Sequence, residues 1–247
     1  MKNVEAVILS AGKGTRLNGG QPSLIPKAMF ELNNKPMVWY IIQTLKNINI
    51  KKPIMVVGYK NELIKKYFGS FCRYAWQREQ LGTGDAAREG VKLLSKDIKS
   101  VLIVQCDDSA FYKKETLKDL IKFQKESKSA IVVMTVERES KDYGRIVANE
   151  KGEITEIIEK EFMTPEKFKK YKLVNTGGYC FDVKWAKENF PKLKLNKLGR
   201  FDITDMIEMA AKQGKKVLVK KIPENEWIGI NTPEQYLQAK KLTHGDI

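Results

Sequence analysis

Histidine is almost absent from this chain of 247 residues, because His244 near its end is the only one. This scarcity excludes a Ser-His-Asp triad, a Cys-His pair and a histidine metal cluster. Cysteine is also scarce, and Cys72, Cys106 and Cys180 lie far apart and form no C-x-x-C pair. The spacing indicates neither a disulfide framework nor a zinc site. Any chemistry must therefore depend on carboxylates, lysines, arginines and backbone amides.

Long apolar segments are missing as well. No apolar run approaches the roughly 20 residues that a membrane-spanning helix needs. The short apolar run at the N-terminus contains Glu5, and no signal-peptide cleavage site follows it. Hydrophobic residues make up 42% of the chain, which is enough for a core. We therefore expect a cytoplasmic globular protein without a membrane partner.

The chain is strongly basic, with a formal net charge of +15 at pH 7. Lysines scattered from Lys2 to Lys241 supply most of this charge, whereas there are only seven arginines. Proteins prefer arginine for bidentate recognition of bases and phosphates, so this pattern is weak evidence for nucleic-acid binding. It indicates a solvated lysine surface and a general attraction for anionic substrates.

Strand and helix patterns alternate along the first half of the chain. Strands are predicted over 5–9, 53–58, 100–105 and 130–137, and helices over 36–48, 61–68, 84–94 and 114–126, with Asn61 as an N-cap. This alternation is typical of an α/β fold with a doubly wound, mostly parallel, Rossmann-like sheet.

The pattern then changes. A hairpin is predicted over 143–161, strands over 173–182 and 215–222, and helices over 161–172, 201–213 and 232–242, the last with Thr232 as N-cap. No linker rich in proline, glycine or serine divides the chain. We expect one domain over 1–247, with a core at about 1–136, a small second lobe at about 137–200 and a return to the core at about 201–247.

A glycine-rich loop follows the first strand and fits neither of two common phosphate-binding motifs. The dinucleotide motif G-x-G-x-x-G needs a glycine where the chain has Leu17. The Walker motif needs Ser or Thr after Gly12–Lys13, but Gly14 follows. The segment N-G-G-Q-P-S-L-I-P cannot open a helix at once, which also argues against a dinucleotide site.

A third arrangement remains, in which the loop surrounds phosphates more widely. Gly12 and Gly14 let backbone N–H groups approach phosphate oxygens closely. Arg16 provides a bidentate donor, and Lys27, separated from it by ten residues, provides a point charge. Because ligands bind at the carboxyl ends of the strands in such sheets, this loop is a candidate phosphate site.

Six ordered segments resemble sugar-phosphate nucleotidyltransferases, and the uridylyltransferases in particular. They are G-K-G-T-R to P-K (12–27), N-N-K-P-M-V-W-Y-I-I (33–42), Q-R-E-Q-L-G-T-G-D-A (77–86), Y-G-R-I-V (143–147), V-N-T-G-G-Y-C-F-D (174–182) and I-G-I-N-T-P-E-Q-Y (228–236). The resemblance covers residues 4 to about 240. It implies a nucleotide-binding part at about 1–136 and a sugar-binding part at about 137–200.

The resemblance implies transfer of a nucleoside monophosphate from UTP or dTTP to a sugar 1-phosphate, with release of pyrophosphate. The sugar phosphate is expected to be N-acetylglucosamine 1-phosphate or glucose 1-phosphate. The implied catalytic residues are Arg16, Lys27 and Asp107, and Mg²⁺ would bind to Asp107 and Asn231. The implied nucleotide-binding residues are Ala11, Gly12, Lys13, Gly14, Thr15, Gln77, Gln80, Gly82 and Thr83. The implied sugar-binding residues are Gly144, Glu159, Lys160, Asn175 and Thr176.

Several alternatives stay open at the level of the sequence. Asp108 is either a further metal ligand or a turn cap, and Glu161 is a rival to Glu159. Gln77 and Gln80 are expected to read a pyrimidine edge, because an amide offers both a donor and an acceptor. The alternative functions are a cytidylyltransferase for a small phosphorylated alcohol, a non-catalytic nucleotide-binding regulator and a nucleic-acid binder. No hexapeptide repeats are present, so acetyl transfer is not expected.

Overall fold

The computed structural model describes residues 2–243. In this range the strands are β1 (Val4–Leu9), β2 (Glu31–Leu32), β3 (Lys35–Pro36), β4 (Ile54–Val57), β5 (Arg73–Trp76), β6 (Ser100–Gln105), β7 (Ile131–Glu137), β8 (Arg145–Ala148), β9 (Ile154–Ile158), β10 (Leu173–Asp182) and β11 (Val217–Lys221). The α-helices are α1 (Met37–Asn47), α2 (Asn61–Phe68), α3 (Thr83–Lys92), α4 (Lys114–Ser127), α5 (Pro165–Lys170), α6 (Val183–Asn189), α7 (Ile203–Lys212) and α8 (Pro233–Thr243). None of the helices in residues 2–243 has the length and apolar character needed to cross a membrane.

One large sheet organises these elements. Its strand order is β11-β7-β10-β6-β1-β4-β5, and β10 runs antiparallel to both of its neighbours while the other pairs are parallel. The short pair β2–β3 and the hairpin β8–β9 lie outside this sheet. The predicted α/β class with a mostly parallel, doubly wound sheet is therefore confirmed.

Helices cover both faces of the sheet, which is why its central strands β1 and β6 are mostly apolar. In β1, Ala6 and Ile8 belong to a core formed with α1, α2 and α4. Val7 and Leu9, on the opposite face, belong to a core formed with α3, α6 and α7. Each fully buried aliphatic side chain contributes about 1.5–3 kcal/mol. The two cores hold the sheet rigid, so the loops at its edge start from fixed positions.

The segment predicted to form a second lobe, about residues 137–200, has two parts in the structure. The hairpin β8–β9 and α5 lie outside the main sheet, but β10 lies in its middle, between β6 and β7. Periodicity alone does not distinguish these two placements, because an apolar strand pairs equally well in a lobe or in a core. The assignment of the parts to nucleotide and sugar stays a prediction.

Four elements were not predicted: the two-residue strands β2 and β3, the edge strand β5 and helix α6. The edge strand β5 has only four residues, and Trp76 at its end is exposed, so its alternation is too short to stand out. Helix α6 begins directly after β10, where the Asp182 carboxylate accepts a hydrogen bond from the Trp185 backbone N–H at 2.8 Å. This N-cap converts the end of the strand into a helix start without an intervening loop.

The two predicted N-caps have different outcomes. Thr232 caps α8, because its hydroxyl accepts a hydrogen bond from the Gln235 backbone N–H at 3.3 Å. The prediction for Asn61 is wrong, since Lys60 occupies the cap position with a φ of +47° and Asn61 is the first helical residue. The Asn61 side chain instead donates to the Gly58 carbonyl at 3.3 Å.

Candidate active site

The loops of interest meet at one edge of the sheet. β1, β4, β5 and β6 are parallel, so their carboxyl ends lie side by side, and the antiparallel β10 brings its amino-terminal half to the same edge. A cavity of about 250 Å³ lies near β1 and β5. A second cavity of about 650 Å³ lies between β6, β10 and the β8–β9 hairpin. Arg16, Gln105 and Asp107 line both cavities, which therefore form one cleft.

The smaller cavity contains most of the predicted nucleotide-binding residues. Its wall includes Ala11, Gly12, Gln77, Gln80, Gly82 and Thr83. The other three, Lys13, Gly14 and Thr15, lie on neither cavity wall. Lys13 is exposed, and the Thr15 carbonyl accepts hydrogen bonds that shape the following turn. The assignment of all nine as nucleotide-binding residues stays a prediction.

Four polar side chains meet where the two cavities join. The Lys27 ammonium forms an ion pair with the Asp107 carboxylate and donates to the Asn231 side-chain oxygen at 3.0 Å. The Arg16 guanidinium donates to the same Asn231 oxygen at 2.9 Å. These residues come from three separate segments of the chain, and the sequence prediction that they act together agrees with this geometry. Their assignment as catalytic residues stays a prediction.

The side-chain oxygens of Asp107 and Asn231 both contact the Lys27 ammonium. Because these two oxygens already share one cation, they are placed to share a metal ion. Carboxylate and amide oxygens are suitable ligands for Mg²⁺. No group of three His, Cys, Asp or Glu side chains in residues 2–243 is arranged to hold a metal. The residues therefore fit an ion that has few protein ligands and takes its others from water or phosphate.

Asp108 follows directly and lies at the wall of the larger cavity. Its carboxylate accepts a hydrogen bond from the Trp227 indole N–H at 3.2 Å. Burial and the adjacent Asp107 carboxylate raise the pKa of Asp108 well above its usual range. The described contacts include no cap of the following turn by this side chain, so the turn-cap alternative loses its support.

The larger cavity contains four of the five predicted sugar-binding residues, which are Gly144, Glu159, Lys160 and Asn175. The fifth, Thr176, is fully buried, and its hydroxyl donates to the Met134 carbonyl at 3.0 Å. The structure therefore contradicts a contact between the Thr176 side chain and a sugar. β10 alternates at this point, so that the side chain of Thr176 packs into the sheet beside Asn175 on the cavity wall.

Glu159 is half-buried, and its carboxylate accepts a hydrogen bond from the Thr204 hydroxyl at 2.7 Å. Burial raises the pKa of Glu159, although the Thr204 hydrogen bond partly opposes this effect. Its rival Glu161 lines the same cavity but is exposed. Lys160 is exposed and lies 4.0 Å from the Asp142 carboxylate. His244, the one histidine, lies outside the described residues.

Sequence reasoning missed several residues of the cleft. Gln235 accepts from the backbone N–H groups of Asn231 and Thr232 and donates to the Tyr143 hydroxyl at 2.8 Å. It therefore connects the Asn231 loop to the wall of the larger cavity. The sequence T-P-E-Q carries the capping-box pattern, which could have indicated this role. Gln105, Arg200 and Thr204 also line the cleft, and no sequence pattern identified them.

Arg145 lies within the segment Y-G-R-I-V (143–147), but the sequence indicated no role of its own for this residue. Its side chain is buried, and its guanidinium donates to the carbonyls of Arg138, Ser140, Tyr143, Gly144 and Tyr171. Burial lowers the pKa of Arg145. This hydrogen-bond network fixes the course of residues 138–145, which places Tyr143 and Gly144 at the cavity wall.

Two glycines are required because another part of the chain comes very close to them. Gly82 has a φ of +115°, and a Cβ atom there would clash with the Phe201 carbonyl oxygen. A Cβ atom on Gly144 would lie 2.5 Å from the Ile158 carbonyl oxygen. The motif glycines therefore bring the cavity walls together.

Replacing Gly82 with alanine is expected to lower the free energy of unfolding by roughly 2 kcal/mol or more, because the left-handed backbone and the clash act together. Gly19→Ala is the matched control, since Gly19 has a φ of +61° but no atom within 4 Å of its would-be Cβ. The control should lose only about 1–2 kcal/mol. Urea denaturation measures the free energy of unfolding of both variants. An equal loss of stability in Gly82→Ala and Gly19→Ala would contradict the argument that Gly82 is needed for close packing.

Comparison with known proteins places the chain in a family. Residues 5–245 match the family model described as Nucleotidyl transferase. This chain belongs to the nucleotidyl transferase family. The resemblance inferred from the glycine loop and the five further segments is thereby confirmed.

Two relatives show how far nucleotidyl transferase similarity extends. The bifunctional protein GlmU of Oceanobacillus iheyensis is 34% identical over 249 residues, which cover 98% of this chain and 52% of the relative. The bifunctional protein GlmU of Clostridium novyi is 35% identical over 243 residues, which cover 96% of this chain and 51% of the relative. The chain thus spans about half the length of the curated relatives that it matches.

A solved nucleotidyl transferase structure shares the fold. UDP-glucose pyrophosphorylase in complex with UDP-glucose superimposes with a TM-score of 0.80 at 20% identity, covering 99% of both chains. At 20% sequence identity, this structural similarity establishes the fold alone.

Proposed function

We propose that the chain transfers a nucleoside monophosphate from UTP or dTTP to a sugar 1-phosphate, releasing pyrophosphate. The observation that carries this proposal is the cluster of Arg16, Lys27, Asp107 and Asn231 at the junction of the two cavities. The smaller cavity has the residues expected around a nucleotide, and the larger one those expected around a sugar. The reacting phosphates would then lie at the junction.

The reaction needs no general base. The second pKa of a phosphate monoester is about 6, so a sugar 1-phosphate is already mostly a dianion at pH 7. It attacks the α-phosphorus of the triphosphate, and pyrophosphate leaves from the opposite side. Catalysis then depends on positioning and on stabilising the negative charge in the transition state. A chain with almost no histidine suits this chemistry.

Arg16 and Lys27 would neutralise the triphosphate. Arg16 is exposed and reaches the junction from the loop after β1, so its remaining N–H groups are available to phosphate oxygens. Lys27 donates to Asp107 and Asn231 and would turn to phosphate when these two oxygens bind a cation. The backbone N–H groups near Gly12 would complete this contact.

Asp107 and Asn231 would hold Mg²⁺, which as a bound Lewis acid would neutralise phosphate charge. Asp108 lies beside them as the further candidate ligand, and its raised pKa opposes a second negative charge at this position until a cation binds. On the sugar side, the Glu159 carboxylate and the Asn175 amide lie on the cavity wall and would bind sugar hydroxyls. Thr176 has no place in this set, and Glu161 stays the alternative to Glu159.

A panel of triphosphates and acceptors tests the proposal. UTP, dTTP and CTP are each paired with N-acetylglucosamine 1-phosphate, glucose 1-phosphate and phosphocholine, and pyrophosphate release is measured with Mg²⁺. We expect UTP or dTTP with a sugar 1-phosphate to react fastest, because the sugar-side wall offers a carboxylate and an amide to hydroxyl groups. Faster reaction of CTP with phosphocholine would instead support a cytidylyltransferase.

Tight nucleotide binding without turnover would indicate a non-catalytic regulator. Binding to duplex DNA that falls steeply with added salt would support the nucleic-acid alternative.

A further inference from the structure

We infer that Asp85 determines which bases this site accepts, by fixing the orientation of the Gln77 amide. The inference rests on the proposed function, since it concerns the base of the nucleotide in the smaller cavity. It goes further by naming a positioning residue and a chemical rule for the base. That base must present a ring N–H group, as uracil, thymine and guanine do.

The first step is the position of the Gln77 amide. Gln77 follows β5, is 3% exposed and lies on the wall of the smaller cavity. Its Nε2 donates to the Gly82 carbonyl at 3.0 Å and to the Asp85 carboxylate at 2.8 Å. Both partners only accept hydrogen bonds, so the amide nitrogen must face them. Both N–H groups are used, and the carbonyl oxygen Oε1 is left for a ligand.

The second step is what holds Asp85 in place. Asp85 lies in the first turn of α3 and is 6% exposed. Its other carboxylate oxygen forms an ion pair with Arg88, one turn further along the helix. The Arg88 guanidinium lies over the Phe201 ring at 4.9 Å. One oxygen of Asp85 is therefore held by Arg88, and the second is directed at Gln77.

The third step is the direction of the second amide. Gln80 also lines the smaller cavity, and its Nε2 donates to the Ala11 carbonyl at 2.8 Å. The sequence-based expectation was that each amide offers both a donor and an acceptor to the base. In the structure the Gln77 amide offers an acceptor alone, and Gln80 has one N–H already engaged. The cavity wall at Gln77 therefore favours a base that presents a hydrogen-bond donor to the Gln77 oxygen.

The consequence is a rule for the base. Uracil and thymine carry an N–H at ring position 3, and guanine carries one at position 1. Cytosine and adenine carry a bare acceptor nitrogen at the corresponding positions and would meet the Gln77 oxygen with a second acceptor. Rotating the amide would direct its oxygen at both Gly82 and Asp85, which is equally unfavourable. Sites built to pair a polar group reject ligands that cannot pair it by large factors.

The experiment compares Asp85→Asn with wild type. The introduced asparagine is nearly the same size as aspartate, but its amide can donate to a rotated Gln77, which removes much of the barrier to rotation. Affinities for UTP, dTTP, GTP, CTP and ATP with Mg²⁺ are measured by calorimetry on the full chain without a sugar phosphate. Pyrophosphate release is measured with the same nucleotides. The matched control is Glu89→Gln, which removes a carboxylate from the same helix that pairs with Lys92 at 2.5 Å and does not contact Gln77.

We expect wild type and Glu89→Gln to prefer UTP over CTP by about 100-fold or more. Asp85→Asn should reduce that ratio at least about tenfold while retaining its fold by circular dichroism. A wild-type preference for CTP would overturn the rule, and an unchanged ratio in Asp85→Asn would overturn the role of Asp85. Selective UTP binding without any turnover would support the inference while refuting the proposed function, so the two failures are distinguishable.

Discussion

Replacing Asp107 with asparagine is expected to lower turnover by about 10²–10³-fold with UTP and a sugar 1-phosphate. The substitution removes the carboxylate that pairs with Lys27 and that would bind the divalent ion. Phosphate would then meet Arg16 and Lys27 without a metal to share its charge, and the α-phosphorus would lose its alignment. Pyrophosphate release at saturating substrate measures the effect. The fold should persist, because Asp107 lies two residues beyond the end of β6 and outside its hydrogen-bonded ladder.

The control for this variant is Asp119→Asn, the same change of side chain at an exposed position on α4. It should keep wild-type turnover. UTP affinity is also compared with and without Mg²⁺, and the variant should lose most of the gain that the ion gives to wild type. Turnover by Asp107→Asn within tenfold of wild type would show that the cluster of Arg16, Lys27, Asp107 and Asn231 is not the reaction centre.

Replacing Arg145 with methionine is expected to lower the free energy of unfolding by about 2–4 kcal/mol. The guanidinium donates to carbonyls that have no other described partner for these bonds, and methionine offers none of its donors. The effect should extend to function, because residues 138–145 carry Tyr143 and Gly144 to the sugar-side cavity wall. We therefore expect the KM for the sugar phosphate to rise at least tenfold, while the KM for UTP changes little.

Lys172→Met is the matched control, since Lys172 forms only an exposed ion pair with Glu139 in the same region. An exposed pair contributes about 1 kcal/mol or less. Urea denaturation and steady-state kinetics are measured for both variants. If Arg145→Met is as stable as Lys172→Met and binds the sugar phosphate normally, the buried guanidinium has no organising role.

The sequence was most informative where a short motif had a specific physical requirement. The failure of the Walker and dinucleotide patterns at Gly14 and Leu17 left a wider loop, and that loop lines the smaller cavity. Gly82 illustrates the reason, because its left-handed backbone and the contact with Phe201 tolerate only glycine. Such requirements are local, so they can be recognised from a few neighbouring residues.

Other features depend on residues far apart in the chain and gave no local signal. Arg145 was missed because its partners are backbone carbonyls, which every sequence contains. The orientation of Gln77 depends on Asp85, whose position could be inferred only once α3 was placed against β5. The burial of the Thr176 side chain was not foreseen, because the motif V-N-T-G-G does not show which side chains of β10 face the cavity. The prediction for Asn61 failed because Lys60 takes a left-handed conformation that favours glycine or asparagine.

The antiparallel strand β10 has a consequence for how the protein folds during synthesis. β7 pairs only with β10 and β11 in the described sheet, and both are made after it. β1, β4, β5 and β6 can assemble early as a parallel unit, but the next edge of that unit remains bare until residues 173–182 emerge from the ribosome. A newly made chain that ends before β10 would leave β6 and β7 without the partner strand that lies between them. Such unpaired apolar strand edges favour aggregation. Expression of truncated chains ending before Leu173 should therefore yield insoluble material.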